Sequence, residues 1–334
     1  MEADVKLNKI MLINMLVTLG FISSCNGGSS KSDQVNSNSL TPSATKPQNS
    51  LVIKNGVPVR SFELNGLIPL IKVKTRRGYH LCTGVVVAPN KILTAAHCVM
   101  KLHDKVVDQY FESQDLYAAK KIVVIFPKEV DRPINLTIDS RKNWIRYKAR
   151  VVYVKSDVFT GASISNQAIS VHDYSRINDL AIIELSDSPR FGYHIELANA
   201  APQVNEEQIV AGFGHNTGDN NKAKEQSHGN AGILRMGKTI VTQIDNPSIL
   251  KIGVPITNDT PNIATCTGDS GSPSLVYNSE SSFNYTLTGI TSLSYGERMC
   301  SFLPSVYMSI AYYKDWIESG YLTDSLTIGK SPKK

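Results

Sequence analysis

Three short segments of this 334-residue chain hold side chains that could together activate an alcohol. The first is Leu93-Thr94-Ala95-Ala96-His97-Cys98, where a run of small residues lets the backbone turn tightly while an imidazole faces a cleft. Cys98 can be tied to Cys82 across a loop whose interior is residues 83–97. A cross-link of that size is worth roughly 3 kcal/mol in the chain-entropy model and fixes where His97 sits. The second is Asn178-Asp179-Leu180-Ala181-Ile182-Ile183-Glu184-Leu185, in which an Asp opens an apolar, strand-like run. A buried carboxylate there could accept from an imidazole N–H and hold its tautomer. The third is Cys266-Thr267-Gly268-Asp269-Ser270-Gly271-Ser272-Pro273. Glycines flank Ser270, so backbone N–H groups can approach a substrate carbonyl closely. Serine is a poor nucleophile until a base removes its proton, and the N–H groups of Gly268 and Ser270 can form an oxyanion hole worth several kcal/mol when preorganised. Each segment alone is commonplace; together they describe one chemistry.

Such loops need a rigid frame. From about residue 51 the chain shows short β-like runs at 67–73, 84–87, 122–126, 150–154, 180–185, 208–210 and 286–291, with turn-rich pieces at 212–221 and 258–262. Many short strands without alternating helices imply an all-β barrel or sandwich. The one convincing helix is 310–319, stopped by Gly320. Residues 323–334 read as a polar, basic tail.

Composition narrows the function classes. The chain is 41% hydrophobic and 19% charged, which argues against disorder or a coiled coil. No apolar run reaches the roughly 18–20 residues of a spanning helix. The net charge of +6 is diffuse and gives no case for nucleic acid. At the N-terminus, Lys6 and Lys9 precede an apolar stretch at 10–22 that fits a signal-peptide core. Ile22-Ser23-Ser24-Cys25 resembles a bacterial lipobox, in which the Cys is lipidated and becomes the N-terminus; an ordinary signal peptide is the alternative. Glu2 and Asp4 are irregular for such a signal. The expectation is an exported protein, lipid-anchored in a bacterial envelope through Cys25 as its sole membrane contact, or extracellular. Of residues 26–50, nineteen are Ser, Asn, Thr, Gly, Pro or Gln, the composition of a tether. Apart from Cys25, four cysteines remain (Cys82, Cys98, Cys266 and Cys300), which implies two disulfides in an oxidising compartment. No CxxC, no ligand-spaced cluster among His80, His103, His172, His194, His215 and His228, and no phosphate-cradling glycine loop is present, so neither metal nor cofactor is expected.

In the order His, Asp, Ser, the three segments resemble the trypsin/chymotrypsin family of serine endopeptidases, across most of residues 53–320. Gly212-Phe213-Gly214, Ser294-Tyr295-Gly296 and Pro304-Ser305-Val306-Tyr307 resemble further words of that family. The resemblance implies two six-stranded antiparallel β-barrels with a C-terminal helix. The first would span about 53–190 and the second about 191–320, after a signal or lipobox at 1–25 and a tether and propeptide at 26–52, and before a tail at 321–334. It implies His97 as general base and then acid, Asp179 as its orienting carboxylate, Ser270 as nucleophile, and Gly268 and Ser270 as oxyanion donors. Cys266 and Cys300 would bridge the walls of a specificity pocket lined by Ala264, Thr265, Ser294, Tyr295, Gly296 and Ser305. Ala264 stands where tryptic members carry an Asp, so an Arg or Lys would enter unpaired, and a small or medium apolar residue is expected before the cut bond. Activation would cleave Val52–Ile53 and pair the new α-amino group with Asp269. Protein or peptide substrates and a monomer are implied; an inactive binding homologue or an esterase are alternatives on the same fold. One departure is the 81 residues between His97 and Asp179, about double the family's usual stretch. Residues 101–156 hold twelve Lys/Arg against seven Asp/Glu, read as an enlarged loop and a candidate exosite for an acidic partner.

Overall fold

The computed structural model describes residues 57–59, 62–76, 78–100, 116–128, 143–156, 178–190, 192–215, 232–253, 263, 265–293 and 304–329. Residues 1–52, Ile53, Ala264, Ser294, Tyr295, Gly296 and Cys300 lie outside them, so the expectations for Cys25, for the Val52–Ile53 bond and for much of the specificity pocket do too.

After a short strand β1 (Val57–Pro58), a first sheet is built from β2 (Leu70–Lys74), β3 (Tyr79–Thr83), β4 (Val85–Ala88), β5 (Lys91–Thr94), β6 (Ile122–Pro127), β7 (Trp144–Lys155) and β8 (Ala181–Leu185). They lie antiparallel in the order β3-β2-β6-β7-β8-β5-β4. Because β3 and β4 are two halves of one strand bent at Gly84, the two ends of that order meet and the sheet curls on itself. A Cβ on Gly84 would stand 2.6 Å from Ile92 Cγ2 and 2.9 Å from Ile71 Cδ1, so only glycine permits the corner. β7 pairs with β6 along its first half and with β8 along its second, with a register shift between Ala149 and Val151 where it turns.

The second sheet contains β9 (Glu196–Leu197), β10 (Glu207–Gly212), β11 (Arg235–Asn246), β12 (Ile249–Ile252), β13 (Pro273–Tyr277), β14 (Tyr285–Leu293) and β15 (Ser305–Ser309). The order β11-β10-β13-β14-β15-β12 closes where β12 pairs back onto β11, making a six-stranded barrel around Val210, Val241, Leu250, Ile252 and Tyr307. The helix Ile310–Glu318 follows, burying Ile310, Tyr313, Trp316 and Ile317 at helical spacing. The architecture is thus the all-β, two-barrel arrangement with a C-terminal helix.

Three sequence boundaries change. Residues 101–156 are not one loop, since β6 and β7 lie within them and Ile122, Val124, Ile125 and Phe126 are core. Two of the basic residues counted there are neutralised in place, Arg150 by Glu184 and Lys155 by Asp324. The stretch 67–73 opens as the end of a helical turn, Phe62–Leu67, before β2 begins. The expected tail contains a strand, β16 (Ser325–Gly329), paired with β7. Its two apolar residues, Leu326 and Ile328, pack on the core one strand period apart, too short a pattern to stand out among polar neighbours. The first and last described strands therefore cross over: β1 joins the second sheet through β11, and β16 joins the first.

Candidate active site

Strand pairing brings His97 and Asp179 together. Thr94, the last residue of β5, faces Ala181, the first of β8. In an antiparallel pair the residues just beyond those ends, counted outward on both chains, are neighbours. His97 lies three residues past Thr94, on the 3-10 turn Ala96–Cys98, and Asp179 two before Ala181. The imidazole Nδ1 lies 2.8 Å from Asp179 Oδ2, and the backbone N–H of His97 donates to Oδ1 at 2.9 Å. The Cys82–Cys98 disulfide clamps this turn to β3, and the Nε2 of His80 meets the Cys98 carbonyl at 2.7 Å. Burial and the neighbouring His97 depress His80, so its ring is neutral and donates that bond. The two sulfurs beside His97 are bonded to each other and offer no thiolate to a metal.

Asp179 is 5% exposed and receives a third donor, Ser292 Oγ, at 2.6 Å. Asn178 beside it accepts from the Tyr313 hydroxyl at 2.7 Å, which ties the loop to the C-terminal helix. Burial alone would raise the carboxyl, but the His97 charge and these hydrogen bonds hold it below its ordinary value. Burial likewise depresses His97, and the Asp179 charge and hydrogen bond outweigh it, so the imidazole titrates above its ordinary value.

Ser270 reaches the same cleft from the second barrel. Its carbonyl accepts from the backbone N–H of Thr83 at 2.9 Å. The Thr83 hydroxyl donates to the Gly268 carbonyl and accepts from the N–H of Phe213, both at 3.1 Å, while the Thr83 carbonyl accepts from Thr94 Oγ1 at 2.8 Å. Thr83 thereby links the Gly268–Gly271 turn, the Gly212–Gly214 turn and the strand that leads to His97. Gly271 nests against this seam with φ +79°, and a Cβ there would collide with Thr94 Oγ1 and the Thr83 carbonyl. Gly268, at φ +102°, completes the turn. Neither Gly268 nor Ser270 donates its N–H to another described residue, so both are available to a substrate oxygen. The Cys98 sulfur lies 3.9 Å from His97 Nε2 and 3.7 Å from the Ser270 carbonyl oxygen, so it touches both segments. The Ser270 hydroxyl makes no hydrogen bond to the described residues; such bonds commonly tighten only when substrate fills the site.

Asp269 is wholly buried, accepting from Gly214 N at 2.7 Å and Cys266 N at 2.8 Å. Burial pushes its carboxyl up to about 7, against the pull of those two N–H groups and of Arg235. Thr265 and Ser305, both buried, turn their hydroxyls to each other at 2.6 Å. Cys266 is in a disulfide, and Cys300 lies outside the described residues.

The Trypsin family profile matches residues 65–135 and 141–317. The chain belongs to the trypsin family. Among curated proteins it is 24% identical over 254 residues to CLIP domain-containing serine protease B15 of Anopheles gambiae. The aligned stretch takes in 71% of this chain and 60% of that protein, so the chain spans about three-fifths of its relative's length. It carries a trypsin-family serine protease domain, and its disulfides suit an oxidising compartment.

Three further residues of this trypsin-family domain bear on the site without belonging to any of its sequence words. The serine that reaches Asp179 is Ser292, two before the Ser294 that the Ser-Tyr-Gly word singles out; its signal is the position at the end of β14, not a motif. His80 reads as a scattered histidine, and Thr83 as one letter of a strand. Replacing Thr83 with Val removes the hydroxyl and leaves Phe213 N and Gly268 O unpaired in a dry seam, costing about 1–3 kcal/mol. Urea denaturation should show that loss for Thr83→Val and a much smaller one for Thr83→Ser; equal midpoints for Val and wild type would contradict the seam.

Proposed function

We propose that the protein is a serine endopeptidase working through His97, Asp179 and Ser270. The observation that carries this is the His97–Asp179 pair, 2.8 Å apart, on a turn clamped by Cys82–Cys98 to β3, whose last residue Thr83 fastens the serine-bearing turn. Ser270 Oγ attacks the amide carbon as its proton passes to His97 Nε2. The carbonyl oxygen, now carrying the charge, is held by the N–H groups of Gly268 and Ser270. His97 returns the proton to the leaving amine as the C–N bond breaks, and water then cleaves the acyl-enzyme by the reverse sequence.

The base must be neutral. Because Asp179 holds the imidazole above its ordinary value, activity falls as pH drops through a point above the usual histidine range. A fluorophosphonate probe should label Ser270 in the wild type and not in Ser270→Ala. Asp179→Asn should slow turnover by about 10⁴-fold and move the acidic limb of kcat/KM downward. Equal labelling of the Ser270→Ala protein would end this reading.

Ala264 in place of a pocket carboxylate, with the Thr265 and Ser305 hydroxyls turned to each other, supports a preference for small or medium apolar side chains over Arg and Lys. Digestion of a random peptide mixture should show Ala, Val or Leu before the cut bonds; predominance of Arg and Lys would exclude the assignment.

The N-terminal words support a lipid-anchored precursor cut at Val52–Ile53, a bond whose Val suits the enzyme's own pocket. If Cys25 carries the lipid, the cut frees the catalytic domain from the envelope. N-terminal sequencing of membrane and soluble fractions should find Ile53 only in soluble wild-type protein and nowhere in Ser270→Ala expressed alone. Ile53 termini retained in membranes would contradict release, and their appearance in Ser270→Ala would contradict self-activation.

A further inference from the structure

Asp269 is not the only charge buried at this end of the second barrel. Arg235, the first residue of β11, is 4% exposed. Strand register aims the two at one space. Gly212 and Arg235 are direct partners across β10 and β11, so their side-chain directions leave the sheet on the same face. A Cβ on Gly212 would collide with Asp269 Oδ1, and one on Gly214 would press on its carboxyl carbon, so the carboxylate fills that face. The Arg235 stem starts about 5 Å from Gly212, one strand spacing away. Its Nε and Nη1 have no hydrogen-bond partner among the described residues. A guanidinium that cannot shed its proton is costly to bury without an opposing charge. Burial depresses Arg235 to about 10, and the Asp269 charge opposes that fall. From β15 the other group near Asp269 is the Tyr307 phenol, pushed up by burial and therefore uncharged.

We propose that Arg235 is a positioning residue that supplies the positive charge against Asp269 in the uncut chain, holding the Gly268–Ser270 turn ready to react before any cleavage at Val52–Ile53. The inference rests on the reading of Ser270 as nucleophile. Asp269 immediately precedes Ser270, and its two oxygens draw the N–H groups of Gly214 and Cys266 together around the turn. An ionised Asp269 is the better acceptor for both, and Arg235 favours that form. A newly freed α-amino group would compete for the same carboxylate, so Arg235 matters most while the chain is intact.

The test uses the full chain with Val52→Pro to block the cut, verified by intact mass, and follows the rate of fluorophosphonate labelling from pH 5.5 to 9. The Val52→Pro protein should label. Adding Arg235→Met should slow labelling at neutral pH at least tenfold and move the acidic limb upward, because Asp269 without its cation keeps its proton to higher pH. Arg235→Lys should restore most of the rate. Near-UV circular dichroism checks folding; if the Met variant loses its signal, Lys is compared with Gln, charge kept against charge lost. Met, or in that case Gln, matching the charged side chain in both rate and pH profile would overturn the proposal. A silent Val52→Pro protein beside a reactive, cleaved wild type would overturn it while leaving the proposed function standing. Silence of both would overturn the proposed function and this inference with it.

Discussion

Two barrels that share no strand set the His97–Asp179 pair and the turn that carries Ser270 beside one another, and the interaction that permits it is the seam at Thr83. One residue of β3 uses its N–H, its hydroxyl and its carbonyl to bind Ser270, Gly268, Phe213 and Thr94. Its neighbour Cys82 is bonded to Cys98, next to His97. The position of the Ser270 turn relative to the His97 turn is therefore set by short, directional bonds between strand ends. Gly271 follows from this, since a side chain there would push the seam apart.

The two buried carboxylates show how differently one protein can treat the same group. Asp179 has a cation-forming partner at 2.8 Å and two further donors, and it stays ionised well into acid. Asp269 has two backbone donors and only a more distant guanidinium, and burial carries it to about 7. The first is suited to hold a charge steady beside a base. The second stands near the balance between its two forms at neutral pH, which is where a small change in nearby charge has its largest effect.

The polar contacts behind the site also hold the barrels' outer parts. Glu184 of β8, buried, binds Arg150 and takes the Tyr153 hydroxyl at 3.2 Å, both from β7. The C-terminal segment fastens the same strand from outside through β16, while its helix reaches Asn178. The strand that carries Asp179 into the site is thus tied to β7 by side chains and to the C-terminal helix through Asn178, and β16 belongs to the frame of the first barrel.

Much of this was legible from residue order. The words around His97, Asp179 and Ser270 mark local turns because small neighbours and glycines at positive φ tolerate few other residues there, and the apolar runs of β6, β8, β10 and β14 mark strands. The final helix was visible through its spacing. What could not be read were contacts between residues far apart in the chain, whose identity carries no local constraint. Ser292 at Asp179, Thr83 at the seam, the pairing of β16 with β7, and Arg235 opposite Gly212 all depend on register between distant strands. Local sequence determines which turns and strands can form; only the closing of the barrels decides which side chains then face one another, because a shift of one residue in pairing would turn each of them to the opposite face.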